Sequence, residues 1–472
     1  MASMIRTRSI APSARIERAL SFVRRSATIL PTSSSSLGAL AIAGLAAAAS
    51  AQMPIDTSEG MNAEIAFSTA ASFDVGGAQL GPTDDSYWIA IRNRLELHDG
   101  LGNAQIVVNL PLGASTSLIQ RAGSPERLYW GDFSTDTIVV VDPTSQTQVD
   151  TLTAPAFAFS LDVTPGGDIL VAAANSSFTA TEILRLESGQ APQLLGSFPN
   201  ASGPLLIDQT SGDLFYAVQA AAFPPPPGAV TIQRLPAATL QNAIDNGTQF
   251  SIADSTTFAS GLDGAFDMVF DDRGRILVSD PNSGVVRAVN ANGSVGEIIA
   301  PDNTPEASLS LDFRDTGVGT FDPFQADDGS ELLVQTTWFG AFATVQFLDP
   351  VQPVLDATNG TTIQSGVDYG LVCTGLPQNG AAFFTIGFQT QPGMVPQLFA
   401  TAPTGAPILS VLDFSSLPPI TLPAMVDATG SVTLSAPNLT SVPISITVEV
   451  FAVDPTLTTV AVSTPQTLLL QN

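Results

Sequence analysis

The sequence predicts an all-β protein in which a β-propeller is followed by a small C-terminal β-sandwich. Three observations support this: a repeated pair of apolar strands, turn residues between the strands, and a change of composition towards the C-terminus. The repeat is plainest at Tyr129–Asp142 and Ile276–Val289, where an apolar strand ends in an acidic residue, turns, and is followed by a second apolar strand. Such a unit, recurring about every 40 to 60 residues, is typical of propeller blades.

Residues 1–51 have the pattern of a bacterial export signal. An arginine-rich stretch precedes the apolar segment Leu37–Ala48, and Ala49–Ala51 fits a cleavage site before Gln52. The apolar run is shorter than the roughly 20 residues that span a bilayer, so we expect a secreted, periplasmic or cell-surface protein with no transmembrane span after cleavage. A retained anchor is the alternative, and Arg24-Arg25 leaves twin-arginine export open beside the general route.

The chain beyond residue 51 is strongly acidic. It holds 10 arginines, no lysine and 42 carboxylates, which gives a formal net charge of −32. This charge repels nucleic acid and anionic lipid. The lack of lysine excludes Schiff-base catalysis. The single cysteine, Cys373, excludes internal disulfides and cysteine-based metal clusters. Because its neighbours read as a strand, we expect Cys373 to be a buried, inert thiol.

Residues 52–83 are small and polar and predict a flexible lead-in, within which Ala63–Ala70 has the composition of a strand that closes the ring. The repeats predict the propeller itself over residues 84–350. Six blades are favoured, and seven is the alternative because both ends of the chain could contribute strands. Two insertions interrupt the spacing: the proline-rich Phe223–Gly228 and a short helix within Pro236–Asn246. The central strands of the blades are expected to start near Ser86, Leu128, Ile169, Leu214, Ile276 and Leu332.

The composition changes after Arg314, since no basic residue follows it. Residues 351–374 are predicted as a linker or closing strand, and residues 375–472 as the β-sandwich. Alternation of apolar and polar residues in Ile444–Val450 predicts a half-buried strand. Short strands separated by proline- and glycine-containing turns over about 100 residues suit a small sandwich.

Two segments resemble known propeller repeats. Asp272–Arg287 (DRGRILVSDPNSGVVR) resembles an NHL repeat, and Tyr129–Asp132 (YWGD) resembles the YWTD repeat of six-bladed receptor propellers. Both belong to the broad six-bladed family that also includes gluconolactonase-like and senescence-marker-like lactonases. The resemblance covers residues 84–350 and implies the fold. It implies little about activity, because these motif positions hold the blades together. The lactonases hold a divalent cation in the central channel with acidic and amide ligands.

Carboxylates are the plentiful ligands in this chain. Four aspartates occupy similar places in their blades, after an apolar residue and before a turn, and are candidate metal ligands: Asp162, Asp208, Asp271 and Asp312. Equivalent positions of a propeller lie on a ring, so these side chains are candidates to converge, with Asn175 and Asn282 as amide ligands. Oxygen ligands suit Ca²⁺, and no other cofactor is expected. The alternative is that each aspartate accepts backbone N–H groups in a turn.

No catalytic residues are predicted. A Ser-His-Asp triad would need His98, the sole histidine, which we expect at the surface or a blade edge, and no G-x-S-x-G motif is present. We therefore expect a monomeric, non-catalytic binding or scaffold protein whose partner is an extracellular polysaccharide, protein or surface component. The alternative is a divalent-metal-dependent hydrolase of the lactonase type, with Ca²⁺ in a carboxylate-lined central channel.

Overall fold

The structure is a computed structural model, and its chain divides into residues 1–51 and residues 52–472. The predicted export signal lies outside the described residues. The residues that the structure describes are 61–69, 75–83, 86–91, 93–99, 103–109, 116–132, 136–155, 157–200, 203–219, 226–301, 308–314, 321, 331–338, 342–358, 360–388, 397–401, 407–410, 412, 420–438, 442–453, 455 and 460–471.

Six antiparallel sheets form the blades of a β-propeller, which confirms the predicted fold. Blades 1 to 3 are β2 (Val75–Leu80), β3 (Tyr87–Ile91), β4 (Arg94–His98) and β5 (Ala104–Asn109); β6 (Thr116–Ala122), β7 (Arg127–Asp132), β8 (Thr137–Asp142) and β9 (Thr147–Thr153); and β10 (Ala158–Val163), β11 (Ile169–Ala174), β12 (Ala180–Leu186) and β13 (Gln193–Pro199). Blades 4 to 6 are β14 (Leu205–Ile207), β15 (Leu214–Val218), β16 (Val230–Leu235) and β18 (Thr256–Leu262); β19 (Asp267–Phe270), β20 (Ile276–Asp280), β21 (Val285–Val289) and β22 (Val295–Pro301); and β23 (Ser308–Arg314), β24 (Glu331–Trp338), β25 (Phe342–Pro350) and β1 (Met61–Thr69). The short β17 (Phe250–Ser251) pairs with the outer edge of blade 3.

The first strands of the six blades form a closed ring. In order, β2, β6, β10, β14, β19 and β23 each contact the next, and β23 contacts β2. We call these the inner strands, the face of the ring where they begin the entry face, and the face where they end the exit face. Apolar side chains fill each of the six junctions between neighbouring blades. Stability of the ring therefore rests on burial between blades rather than on a single central core.

The propeller begins earlier than residue 84, because the predicted lead-in contains β1 and β2. Strand β1 is the outermost strand of blade 6, with Met61 opposite Pro350 and Thr69 opposite Ala343. Its composition is small and polar because it is an outer strand with several exposed residues. In β2, a side chain at Gly77 would place its Cβ 2.6 Å from Ile119 Cγ2 of blade 2. Glycine is therefore required where these two blades approach each other.

The helix predicted in the second insertion is present as α1 (Ala237–Asn246). It buries Leu240, Ala243 and Ile244 against β13 and β17. It ends where Gly247 adopts a left-handed conformation with φ 66°. In the part of the chain that the structure describes, no helix has the length and apolar character needed to cross a membrane.

The C-terminal part is a β-sandwich of a three-stranded and a six-stranded sheet. Its strands are β26 (Val354–Ala357), β28 (Asp368–Thr374) and β33 (Val432–Pro437) in one sheet; β27 (Thr362–Ile363), β36 (Gln466–Leu470), β34 (Ile444–Val453), β29 (Ala381–Gly387), β32 (Ile420–Met425) and β35 (Val460–Val462) in the other; and the hairpin of β30 (Gln397–Thr401) and β31 (Pro407–Ser410). Strands β26 to β28 lie in the stretch expected as a linker or closing strand. Cys373 is a free, buried thiol in the shared core, as predicted, and burial raises its pKa to about 12.

Strand β34 is buried on both sides over most of its length, not half-buried as its alternation predicts. The reason is visible at Glu449, whose carboxylate accepts a hydrogen bond from Ser410 at the end of β31. The end of β31 therefore reaches the polar side of β34 at Glu449.

Candidate functional site

Hydrogen bonds around the central channel join one inner strand to the next. Asp162, on β10, shows the arrangement. Its Oδ1 accepts the N–H of Val163 at 2.7 Å, and its Oδ2 accepts the N–H of Ile207, on the inner strand of blade 4, at 2.7 Å. Both carboxylate oxygens are thus bonded to backbone, one within the blade and one across the junction. Burial raises the pKa of Asp162 to about 7, against the opposing effect of these hydrogen bonds.

Asp267, at the start of β19, makes the same two bonds. Its Oδ1 accepts the N–H of Met268 and its Oδ2 accepts the N–H of Leu311 on blade 6, both at 2.8 Å. Burial again raises the pKa to about 7, and the nearby Asp312 carboxylate adds to the rise. The sequence pattern does not single out this residue, because Asp267 stands at the start of β19, ahead of an apolar run, and not at the end of the strand before a turn.

Asp312, on β23, adds an ion pair to the arrangement. Its Oδ1 accepts the N–H of Phe313 and its Oδ2 accepts the N–H of Leu80, both at 2.8 Å. Arg121 of blade 2 donates to both oxygens, from Nε at 2.8 Å and Nη2 at 3.1 Å. It also donates from Nη1 to Glu126 at 2.8 Å. Arg121 therefore connects blade 2 with blade 6 across blade 1, and this ion pair raises the pKa of Arg121 despite its burial.

Asp208 and Asp271 lie outside the ring of inner-strand bonds, in turns on the exit face. Asp208 accepts the N–H of Thr210 at 2.8 Å and the hydroxyl of Ser211 at 2.7 Å. Partial burial acts to raise its pKa, but these bonds outweigh it and the pKa is lowered. Asp271 accepts the N–H of Arg275 at 2.8 Å and pairs with its Nε at 2.6 Å. Both aspartates therefore have the turn role that was the alternative to metal binding.

The structure does not bring the four candidate metal ligands together. Asp162 and Asp312 lie on separate inner strands and bond to backbone, whereas Asp208 and Asp271 stabilise turns. Across the described residues, no group of three or more His, Cys, Asp or Glu side chains is placed to hold a metal ion. The two amide candidates are also in loops: Asn175 Oδ1 accepts the N–H of Thr179 at 2.9 Å, and Asn282 Nδ2 donates to the carbonyl of Asp263 at 2.6 Å.

A series of arginine–carboxylate pairs lies on the exit face, around the start of the second strand in blades 2 to 6. The pairs are Arg127–Asp142 at 3.5 Å, Arg185–Asp168 at 2.6 Å, Arg234–Asp213 at 2.6 Å, Arg275–Asp271 at 2.6 Å and Arg314–Glu331 at 3.1 Å. Five of the nine arginines among the described residues thus neutralise carboxylates at this end of the ring.

A cavity of about 330 Å³ opens on the same face between blades 3 and 4. Its walls are the turns Thr164–Gly166 and Thr210–Gly212 and the first turn of α1. The N–H of Ala237, which begins the helix, already donates to Asp213 at 2.7 Å. The cavity therefore presents hydroxyl, amide and methyl groups, which is the chemistry of a weakly polar pocket.

His98 is buried beneath β1 and not at the surface, with 8% of its area exposed. Its Nδ1 lies 3.1 Å from the hydroxyl of Tyr87, and its Nε2 lies 3.0 Å from Glu96 Oε2. The Tyr87 hydroxyl also lies 3.3 Å from the carbonyl of Ala66 on β1. Burial and the Glu96 charge raise the pKa of Tyr87. These contacts join β1 to blade 1 and offer no exposed nucleophile, so His98 has a structural position.

Comparison with solved structures finds similar chains at low sequence identity. Similar chains include a gluconolactonase from Xanthomonas campestris (13% identity, 63% of this chain and 95% of that one, TM-score 0.41). Virginiamycin B lyase from Staphylococcus aureus (11%, 62% and 99%, TM-score 0.37) and regucalcin, a calcium-binding protein from Agrobacterium tumefaciens (12%, 61% and 95%, TM-score 0.39), are also similar. No family model matches the sequence. No curated protein matches it either. These likenesses concern the propeller fold alone.

Proposed function

We propose that the protein is a non-catalytic binding or scaffold propeller that acts on an extracellular or cell-surface partner. One observation carries this proposal: Asp162, Asp267 and Asp312 each bond one oxygen to their own strand and the other to the next blade. A carboxylate held in this way fixes the geometry of the ring and has fewer lone pairs left for a cation or a substrate. The carboxylates around the channel accordingly keep the propeller rigid.

A metal-dependent hydrolase of the lactonase type is the second candidate. The observation in its favour is that burial raises the pKa of Asp162 and of Asp267 to about 7. A carboxyl group that titrates near neutral pH is suited to general acid–base catalysis. The gluconolactonase among the similar structures corresponds to this candidate and not to the first. At 13% identity, that likeness extends to the fold only.

Thermal unfolding with EDTA and with added Ca²⁺ separates the two candidates. A cation that binds only the folded state adds about 2.7 kcal/mol at a concentration 100-fold above its dissociation constant. We expect no Ca²⁺-dependent change in melting temperature, and no hydrolysis of a panel of sugar lactones above the buffer rate. Asp162→Asn tests the channel, and Asp208→Asn, in an exit-face turn, is the matched control.

A Ca²⁺-dependent rise in melting temperature that Asp162→Asn abolishes and Asp208→Asn retains would contradict the first candidate. Lactone turnover lost in Asp267→Asn would establish the second. If turnover is absent and the melting temperature does not respond to Ca²⁺, the binding or scaffold function stands.

We also infer export through residues 1–51, from the arginine-rich stretch, the apolar segment and the small residues Ala49–Ala51. N-terminal sequencing of the protein recovered outside the cytoplasm is expected to start at Gln52. A start within residues 1–36 would instead show that the segment is retained as an anchor.

A further inference from the structure

Three loops of the entry face, between blades 2 and 3, hold non-glycine residues in a left-handed backbone conformation. The φ angles are 49° at Asp136, 59° at Phe157 and 55° at Phe178. This conformation is unfavourable for a bulky side chain and persists where the surrounding structure enforces it. Here the N–H of Ala154 donates to the carbonyl of Asp136 at 2.9 Å, and the N–H of Ala174 donates to that of Phe157 at 3.3 Å. The N–H of Phe178 donates to the carbonyl of Asn175 at 2.9 Å. Backbone hydrogen bonds therefore fix the positions of all three residues.

Two of these residues form an exposed aromatic corner. The ring centroids of Phe157 and Phe178 are 4.9 Å apart with an interplanar angle of 65°. Their exposed fractions are 44% and 56%. Phe266, which immediately precedes the inner strand of blade 5, is exposed to 50%. Phe157 immediately precedes the inner strand of blade 3, so aromatic rings reach solvent at the same place in two blades. Burial in the core explains neither position.

The charges near the corner favour a cation. The face of an aromatic ring carries a partial negative charge. Asp136 is exposed in the neighbouring loop. The described residues of the entry-face loops contain no arginine, and Arg94, which begins β4 at this face, is paired with Glu96 at 3.0 Å. The other arginine–carboxylate pairs described above lie on the exit face. The whole chain has a net charge of −27. The long-range attraction and the local aromatic surface therefore both favour a positively charged ligand.

We propose that the corner formed by Phe157 and Phe178 binds guanidinium or ammonium side chains from a basic segment of a partner polypeptide, with Asp136 as an adjacent counter-charge. This inference rests on the proposed binding function and names the chemistry of its partner. A single exposed cation–π contact is weak. Useful affinity therefore requires several basic residues on one segment, which gain from their effective concentration once the first is bound.

The test measures fluorescence anisotropy of a labelled peptide of alternating arginine and glycine, added to the full protein at about 0.15 M salt, where long-range attraction is screened. The same peptide with citrulline in place of arginine keeps the shape and removes the charge. The double variant Phe157→Leu and Phe178→Leu keeps an apolar surface and removes the rings. Phe388→Leu, at an exposed phenylalanine (44%) that directly follows β29 of the sandwich, is the matched control.

We expect the double variant to raise the dissociation constant for the arginine peptide roughly 4- to 25-fold, as expected for the loss of two cation–π contacts. Phe388→Leu should not change it, and the citrulline peptide should bind wild type no better than it binds the double variant. Equal affinity of wild type and the double variant for the arginine peptide would overturn the proposal in favour of general attraction by net charge. Tight binding of the citrulline peptide would overturn it in favour of an apolar site.

If the double variant does not fold, as judged by circular dichroism, Phe178→Leu alone is used, because Phe178 lies in an exposed loop. Its expected effect on the dissociation constant is about 2- to 5-fold, and an unchanged value again overturns the proposal. Failure of the proposed function is detected separately from failure of this inference, because lactone turnover is measured without the peptide.

Discussion

Acidification from about pH 7.5 to about pH 5 is expected to raise the melting temperature of the protein. Asp162 and Asp267 have an ordinary pKa of 3.8, and burial raises it to about 7 in the folded protein. Between these values the folded state binds more protons than the unfolded state, so the free energy of unfolding falls as the pH rises. The contribution of the two groups to the free energy of unfolding is complete below about pH 4 and is lost as the pH rises through about 7. Each group contributes on the order of a few kcal/mol.

Other carboxylates act in a different pH range. The pKa of Asp142 is lowered by backbone hydrogen bonds from Ser145 and Thr144, and that of Asp427 chiefly by the hydroxyl of Thr429. Their contribution to stability is present above the ordinary pKa of 3.8 and is lost only in stronger acid. Between about pH 4 and 7, the pH dependence of stability is therefore set by Asp162 and Asp267. Repulsion among the excess carboxylates also lowers stability as the pH rises.

Calorimetric melting at a series of pH values measures this dependence. Asp162→Asn and Asp267→Asn replace a titrating group by a neutral side chain of the same shape, and each should flatten the slope between about pH 4 and 7. Asp208→Asn, in an exit-face turn, should leave the slope unchanged. A slope of the same size in both channel variants would show that these two carboxyl groups do not account for the pH dependence.

The sequence predicts the architecture well because the architecture is repetitive. Apolar strands at regular spacing indicate the blades, and α1 appears where Leu240, Ala243 and Ile244 share one face. The outer strand β1 is less visible, because its partner β25 lies about 280 residues away in the chain. Strand β1 is held in place by this distant partner and carries no clear local strand pattern. Residues 52–83 taken alone therefore predict a lead-in and not a strand of the propeller.

The candidate site is harder to predict, because a shift of two residues along the chain changes the role of an aspartate. Asp208 and Asp271 begin exit-face turns, where their N–H groups bond to the carbonyls of Asp213 and Arg275. Thr164 has this turn position in blade 3, with its N–H bonded to the carbonyl of Asp168. Asp162 lies two residues earlier, on the strand. An apolar residue followed by aspartate does not distinguish these positions, since both occur towards the end of an inner strand.

Replacing Arg121 by Met is expected to destabilise the protein by about 3–5 kcal/mol, because it removes one partner of a buried ion pair. The side chain of Asp312 is 6% exposed and that of Arg121 15%. Without the arginine, the Asp312 carboxylate keeps its bonds to the N–H groups of Leu80 and Phe313 but loses the charge that balances it. Denaturant unfolding measures the change. Arg127→Met is the control, because Arg127 lies 3.5 Å from Asp142 in a more exposed pair, worth about 1 kcal/mol or less.

Combining Arg121→Met with Asp312→Asn separates the ion pair from the packing of the arginine. If the cost of the single change is the unbalanced carboxylate, the neutral asparagine should restore most of the lost stability, with an interaction energy of about 1–3 kcal/mol between the two positions. If the two changes simply add, the stability instead comes from the aliphatic part of Arg121 and from its bond to the carbonyl of Phe313 at 3.1 Å. In that case blade 2 would be tied to blade 6 by contact and backbone hydrogen bonding, and the aspartate would act only on its own strand and on blade 1.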